Sequence, residues 1–187
     1  VASVAVELAE KIFSTLADRT VMVIGAGDTS EKTARALVSR GVTSVLVTNR
    51  STERAEALAA TLGGRAVRFD DWPAEFPRLD IVISSTASPD YILDRPKLES
   101  LLKHRASKPL LLVDIAVPRD IDPEVNRVED VYLYNVDDLQ SIADDSLRQR
   151  KEEVARCEEI IRAKARGLLD HVPPPRATPA PNPAQSN

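Results

Sequence analysis

The sequence predicts an α/β fold, a doubly wound parallel sheet with helices on both faces, followed by one long C-terminal helix. Three observations predict it. Short apolar runs such as TVMVI (20–24), SVLVT (44–48), DIVIS (80–84) and PLLLVD (109–114) lack polar alternation, as strands covered on both faces require. Segments with apolar residues at helical spacing separate several of these runs. From Val136 onward neither Gly nor Pro interrupts the chain until Gly167.

The elements follow in order. Ser3 to Leu16 reads as a helix, with Val4, Leu8, Ile12, Phe13 and Leu16 on one stripe. After the polar break Asp18-Arg19, the strand Thr20 to Ile24 runs into Gly25-Ala26-Gly27 and a helix that stops at Gly41. A second strand, Ser44 to Thr48, precedes the helix Glu53 to Leu62, which Gly63-Gly64 closes. Short strands are expected at Ala66 to Phe69, Asp80 to Ser84, Pro109 to Asp114 and Val131 to Tyr134, with a helix over Leu93 to Lys103. Strands alternating with helices imply right-handed crossovers in a parallel sheet. The last helix, Val136 to His171, would span roughly 50 Å at 1.5 Å per residue. Leu147, Val154, Ile161 and Leu168 recur along it every seven residues, too narrow a stripe for burial on one small domain. It is expected to pack on another subunit or domain, the alternative being a solvated helix stabilised by i,i+4 charge pairs. Asp137-Asp138 are expected to cap its start.

A length of 187 residues allows one domain with appendages. The expected division is an N-terminal helix (1–18), a dinucleotide-binding domain (19–135), the long helix (136–172) and a disordered tail (173–187). The tail PPPRATPAPNPAQSN holds six of the 13 prolines and has no apolar periodicity with which to build a core. A net charge of −4 argues against a polybasic nucleic-acid surface. The single cysteine excludes an intrachain disulfide framework and fits a reducing cytoplasm. No apolar run approaches the roughly 20 residues of a membrane span, so no membrane partner is expected.

The chemistry centres on Gly25, Ala26, Gly27, Asp28, Thr29 and Ser30, a glycine-rich turn between the first strand and a helix. The first glycine permits the tight turn and the second lets the backbone approach a pyrophosphate. Ser30 takes the third position, which needs a small residue for helix–strand packing. Backbone N–H groups at the helix start then face the phosphates. A lone G-x-G is weak, but the strand–turn–helix context makes this a Rossmann-like nucleotide turn. At the end of the second strand, NAD enzymes place an acidic residue on the ribose. Here stand Asn49, Arg50 and Ser51, with Arg54 one helical turn on, a set that suits a 2′-phosphate and therefore NADPH. Ser84 to Ala87 lie at the carboxyl edge of the sheet, where Ser85, Thr86 and Ala87 are expected to line the nicotinamide side.

These stretches resemble one family, glutamyl-tRNA reductase. The resemblance rests on SVAVELA with KIF near the start, VIGAGDTSEKTARAL (23–37), TNRSTERAEALA (48–59), DIVISSTASP (80–89), DIAVPRDIDPEV (114–125) and VYLYNVDDLQ (131–140). It covers roughly residues 1–171, and the last two stretches are the specific ones. The resemblance implies the middle, NADPH-binding domain of a three-domain enzyme, with part of its spinal helix. It implies that Asp114, Ala116, Val117 and Pro118 form the loop facing the nicotinamide. It further implies that a domain absent from this chain holds the catalytic cysteine and receives glutamyl-tRNA. The product would then be glutamate-1-semialdehyde, for tetrapyrrole synthesis. A homodimer, and a partner aminotransferase acting on the semialdehyde, are also implied. The chain is thus expected to be an excised piece that binds NADPH without reducing glutamyl-tRNA by itself.

No catalytic or metal residue is expected within the chain. Cys157 stands among Glu153, Glu158 and Glu159, away from any predicted cofactor loop, and reads as a packing or surface cysteine. His104 and His171 sit singly at helix ends. Two other functions fit parts of the pattern. A shikimate dehydrogenase-like NADP oxidoreductase shares the glycine turn and the Asn-Arg-Ser signature, but not DIAVPRDIDP and YNVDDL. A non-catalytic NADP-binding or partner-binding module would use the long helix as its functional surface.

Overall fold

The structure, a computed structural model, describes residues 1–169. The last residues assigned to the long helix and the Pro-rich tail lie outside the described residues. Six parallel strands form one sheet in the order β3-β2-β1-β4-β5-β6. They are β1 (Thr20–Ile24), β2 (Ser44–Asn49), β3 (Arg65–Arg68), β4 (Ile81–Ser84), β5 (Leu110–Asp114) and β6 (Val131–Asn135). The order reverses beside β1, where β2 pairs on one side and β4 on the other. The fold is therefore a Rossmann-like doubly wound sheet, and its ligand crevice is expected at the carboxyl ends of β1 and β4.

Successive strand residues point to opposite faces, and the core divides accordingly. Val21, Val23, Val45, Val47, Ile81, Ile83, Leu111 and Val113 face helices α1 (Ala2–Phe13), α2 (Asp28–Ser39) and α3 (Thr52–Leu62). Met22, Ile24, Leu46, Val82, Leu110, Leu112, Val131 and Leu133 face the other side. There they meet the short helix α4 (Trp72–Glu75), the 3-10 turn Phe76–Arg78 and helix α5 (Arg95–Leu102). Burial on both faces is why β1, β4 and β5 read as unbroken apolar runs.

Several boundaries differ from expectation for local reasons. α1 stops at Phe13 because Ser14 turns to φ 59° and donates its N–H to Glu10 O, although Leu16 stays buried. α5 begins at Arg95, not Leu93. Asp94 accepts the Lys97 N–H at 2.8 Å as an N-cap, while Leu93 pairs with Ile121 in an isolated bridge. α4 and the 3-10 turn are not expected from the sequence, being too short to show a period. Their Trp72 and Phe76 are nonetheless buried, with ring centroids 6.2 Å apart.

The chain divides into two compact units, Val1–Asp144 and a second beginning at Asp145. Helix α6 (Val136–Leu169) runs through the boundary. In the first unit its start is capped differently from expectation. Asn135 Oδ1 accepts the N–H groups of Asp137 (2.9 Å) and Asp138 (3.2 Å), and Asp138 reaches back to the Asn135 N–H at 2.9 Å. This is a reciprocal capping box in which Asn135 is the N-cap. Asp137 instead pairs with Arg119 at 2.7 Å. In the second unit, Leu147, Val154, Ile160 and Ile161 are more than half exposed, and Cys157 is exposed. Among the described residues no helix is long and apolar enough to cross a membrane, and no cluster of His, Cys, Asp and Glu has the arrangement of a metal site.

Candidate functional site

The turn after β1 is built by close approach. Gly25 has φ +95°, and a Cβ there would lie 2.1 Å from Ser85 O, so neither the conformation nor the space admits a side chain. Its N–H donates to Thr48 O at 2.8 Å, which ties the turn to β2. Gly27 is the N-cap of α2, and a Cβ there would come no nearer than 3.6 Å to Ser85 Oγ. Ser30 is fully buried beneath the turn. Its hydroxyl lies 2.8 Å from Gly27 O and 3.2 Å from both Gly25 O and Gly27 N. A third glycine would leave this cross-link unmade. Asp28 and Thr29 are exposed in the first turn of α2, with their backbone at its positive end.

A cleft of about 500 Å³ opens over this turn. Ala26 and Gly27 form its floor, Asn49, Arg50, Ser51 and Arg54 one wall, and Ser85, Thr86, Ala87 and Ser88 the other, with Phe69 at the margin. None of these carries a carboxylate. On the first wall Ser51 caps α3, its Oγ accepting the Arg54 N–H at 3.3 Å and donating to Glu53 at 2.7 Å. That hydroxyl bond holds the Glu53 carboxyl below its ordinary pKa. Asn49 donates its side-chain N–H to Ser51 O at 3.3 Å. Arg50 is exposed, lies 6.0 Å from the Phe69 ring centroid and makes a long 3.4 Å bond to Ser88 Oγ.

The second loop is arranged less as expected. Asp114 ends β5 almost fully buried. Its carboxylate accepts the N–H groups of Ala116 (3.1 Å), Asp120 (3.1 Å) and Ile121 (2.9 Å). Burial raises its pKa, and those three bonds oppose the rise. Asp114 thus shapes the loop from behind instead of facing the cleft. Ala116 is also buried, whereas Val117 and Pro118 are exposed across a cis peptide. Pro118 lines a neighbouring hollow with Tyr91 and Arg119. The loop residues 114, 116, 117 and 118 do not line the main cleft.

Three residues at or behind the cleft are not singled out by the sequence reading, although Ser88 and Asp120 fall within stretches that carry the resemblance. Phe69 and Ser88 line the cleft, and Asp120 lies fully buried behind it. Asp120 accepts from Ser84 Oγ (2.7 Å), Thr86 N (2.8 Å) and Thr86 Oγ1 (2.6 Å). No local spacing announces these contacts, because 34 to 36 residues separate the partners.

Known proteins are similar to this chain in sequence and in fold. The family described as Shikimate / quinate 5-dehydrogenase matches residues 7–142. A glutamyl-tRNA reductase from Citrifermentans bemidjiense is 48% identical over 86% of this chain and 37% of its own length. The solved glutamyl-tRNA reductase from Methanopyrus kandleri is 41% identical with TM-score 0.79, covering 90% of this chain and 43% of that one. The nucleotide-binding domain of glutamyl-tRNA reductase from Thermoplasma volcanium, 18% identical, shares the fold at TM-score 0.63 over 81% of this chain and 96% of that one. The chain therefore spans little more than a third of the curated relative's length. Over that span it corresponds to an NAD(P)-binding Rossmann domain. It belongs to the Shikimate / quinate 5-dehydrogenase family, and within it is similar to the nucleotide-binding stretch of glutamyl-tRNA reductases.

Proposed function

We propose that the cleft binds NADPH and that the chain is the nucleotide-binding part of a glutamyl-tRNA reductase. One observation carries the cofactor choice: Arg50, Ser51 and Arg54 line the cleft together at the end of β2, and no lining residue carries a carboxylate, Glu53 meeting the cleft only through its bond to the Ser51 hydroxyl. Two guanidiniums favour a 2′-phosphate dianion, whereas the acidic residue of NAD enzymes would repel it. The turn fits the rest of the nucleotide. Gly25 and Gly27 let the backbone approach a pyrophosphate, and the N–H groups of Asp28, Thr29 and Ser30 at the start of α2 favour its charge. Ser85, Thr86 and Ala87 border the nicotinamide side. The Ala116–Val117–Pro118 loop, tied to Asp114 through the Ala116 N–H, would face the nicotinamide from outside the main cleft.

When bound, NADPH supplies a hydride. In the whole enzyme a thiolate outside this chain attacks the glutamyl ester and expels the tRNA. Reduction of the resulting thioester releases glutamate-1-semialdehyde and regenerates the thiolate, the entry step of tetrapyrrole synthesis. This chain's share is to hold and orient the nucleotide. The exposed Leu147, Val154 and Ile161 on α6 support a homodimer. An aminotransferase would take up the semialdehyde, in the cytoplasm. Titration with NADPH and NADH, repeated after Arg50→Ala, tests the cofactor reading. Selective loss of NADPH affinity by about tenfold, one charge-assisted contact, is expected. Equal affinities for both nucleotides in the unsubstituted chain would refute it.

A further inference from the structure

The buried carboxylate of Asp120 lies outside the cleft, yet it is bonded to the cleft's second wall. Its two oxygens take three donors from the end of β4 and the loop beyond: Ser84 Oγ, Thr86 N and Thr86 Oγ1. The bonds continue in both directions. Behind Asp120, the Asp114 carboxylate holds the Asp120 and Ile121 N–H groups, and Asp120 O accepts from Ile92 N at 2.7 Å. Ahead of it, Thr86 Oγ1 donates to Asp120 and accepts the Ser88 N–H at 3.1 Å. Ser88 Oγ then accepts from Arg50 at 3.4 Å. A continuous chain of hydrogen bonds therefore runs from β5 to the guanidinium at the end of β2.

The chemistry gives this chain a direction. A carboxylate only accepts, so it obliges the Thr86 hydroxyl to donate toward it. The same oxygen is then left as an acceptor for the Ser88 N–H. That fixes the path of residues 86–88 and presents Ser88 Oγ to Arg50. An amide at position 120 offers one acceptor and one donor, so the Thr86 hydroxyl loses its fixed direction. We propose that Asp120 is a positioning residue for NADP selectivity, acting through Thr86 and Ser88 to hold Arg50 where a 2′-phosphate would lie. The proposal rests on the NADPH reading above.

The test uses the full 187-residue chain. Asp120→Asn is made alone and in the Arg50→Ala background, with NADPH and NADH titrated against each and thermal unfolding followed in parallel. The single variant is expected to lose about tenfold in NADPH affinity, the size of one charge-assisted hydrogen bond, and less than about threefold in NADH affinity. In the Arg50→Ala background the substitution should leave the NADPH/NADH ratio unchanged. Equal loss for both nucleotides, or a ratio change that persists without Arg50, would overturn the proposal, since a merely structural Asp120 predicts either. Ser88→Ala, which removes only the hydroxyl at the last link, is expected to shift the ratio in the same direction. An unshifted ratio there refutes the relay even if Asp120→Asn does not fold. If the unsubstituted chain prefers neither nucleotide, the cofactor reading fails first, and that result is distinct from every outcome above.

Discussion

Gly25→Ala should be the most damaging single methyl in the nucleotide turn. A Cβ at Gly25 would stand 2.1 Å from Ser85 O and 2.7 Å from Ser85 C. The opposing atoms are backbone, and their peptide is pinned. Ser85 N donates to Ile24 O at 2.8 Å, and Thr86 N donates to Asp120 at 2.8 Å. Relief requires a shift of about 1 Å, which breaks one of these bonds or moves β1, as expected of overpacking against a close-packed neighbour. Forcing a non-glycine residue to positive φ costs about 1–2 kcal/mol. The overpacking itself adds about 1–3 kcal/mol. Gly41 supplies the control, because it has φ +103° with nothing within 4 Å of where its Cβ would stand. Gly41→Ala should show the conformational cost alone. Urea unfolding of both variants, compared at equal m-value, isolates the steric part. Gly25→Ala is expected to be the less stable by about 1–3 kcal/mol. Equal losses would refute the close packing of the turn on the β4 loop.

Two further substitutions test the elements that frame the site. Asp114 has its pKa raised by burial above the ordinary 3.8, so the folded chain binds its proton more readily than the unfolded chain does. Its contribution to stability is accordingly greatest at acid pH and falls as pH rises from 3.8 through the raised value. The stability difference between the unsubstituted chain and Asp114→Asn should therefore narrow over that rise in pH, as read by urea titration at stepped pH; a widening gap would contradict the burial argument. Asn135→Ala removes the acceptor for two N–H groups at the start of α6, and should cost about 1 kcal/mol in the same assay. No measurable loss would show that water or Asp138 replaces the cap.

The sheet was legible in the sequence because strands buried on both faces leave runs that few other structures produce. β1, β2, β4 and β5 lie where those runs lie, and Gly25 to Ser30 form the turn expected of them. The α6 cap was also open to a local reading, since Asn135 and Asp138 stand at capping-box spacing. Asp137 beside them is equally acidic, and charge alone does not separate a cap from an ion-pair partner. Phe69, Ser88 and the α4 turn carry no period, and only the pairing of β4 with β1 and β5 brings the relevant loops together.

The two aspartates near the end of β5 show why a carboxylate's role is settled by its partners. Asp114 ends a buried strand at the ligand edge, which makes it look like a cofactor contact, whereas Asp120 lies deep in a loop with nothing local to mark it. A carboxylate has about four lone-pair sites. Asp114 gives three to the N–H groups of residues 116, 120 and 121, so it fixes where Asp120 begins. Asp120 gives three to Ser84 and Thr86, so it fixes where the cleft wall stands. With both side chains buried and nearly saturated, neither is free to touch a nucleotide. Under the proposal above, their influence reaches the cleft through Thr86 and Ser88, which line it, and on to Arg50, so that selectivity between NADPH and NADH is the quantity expected to respond to them.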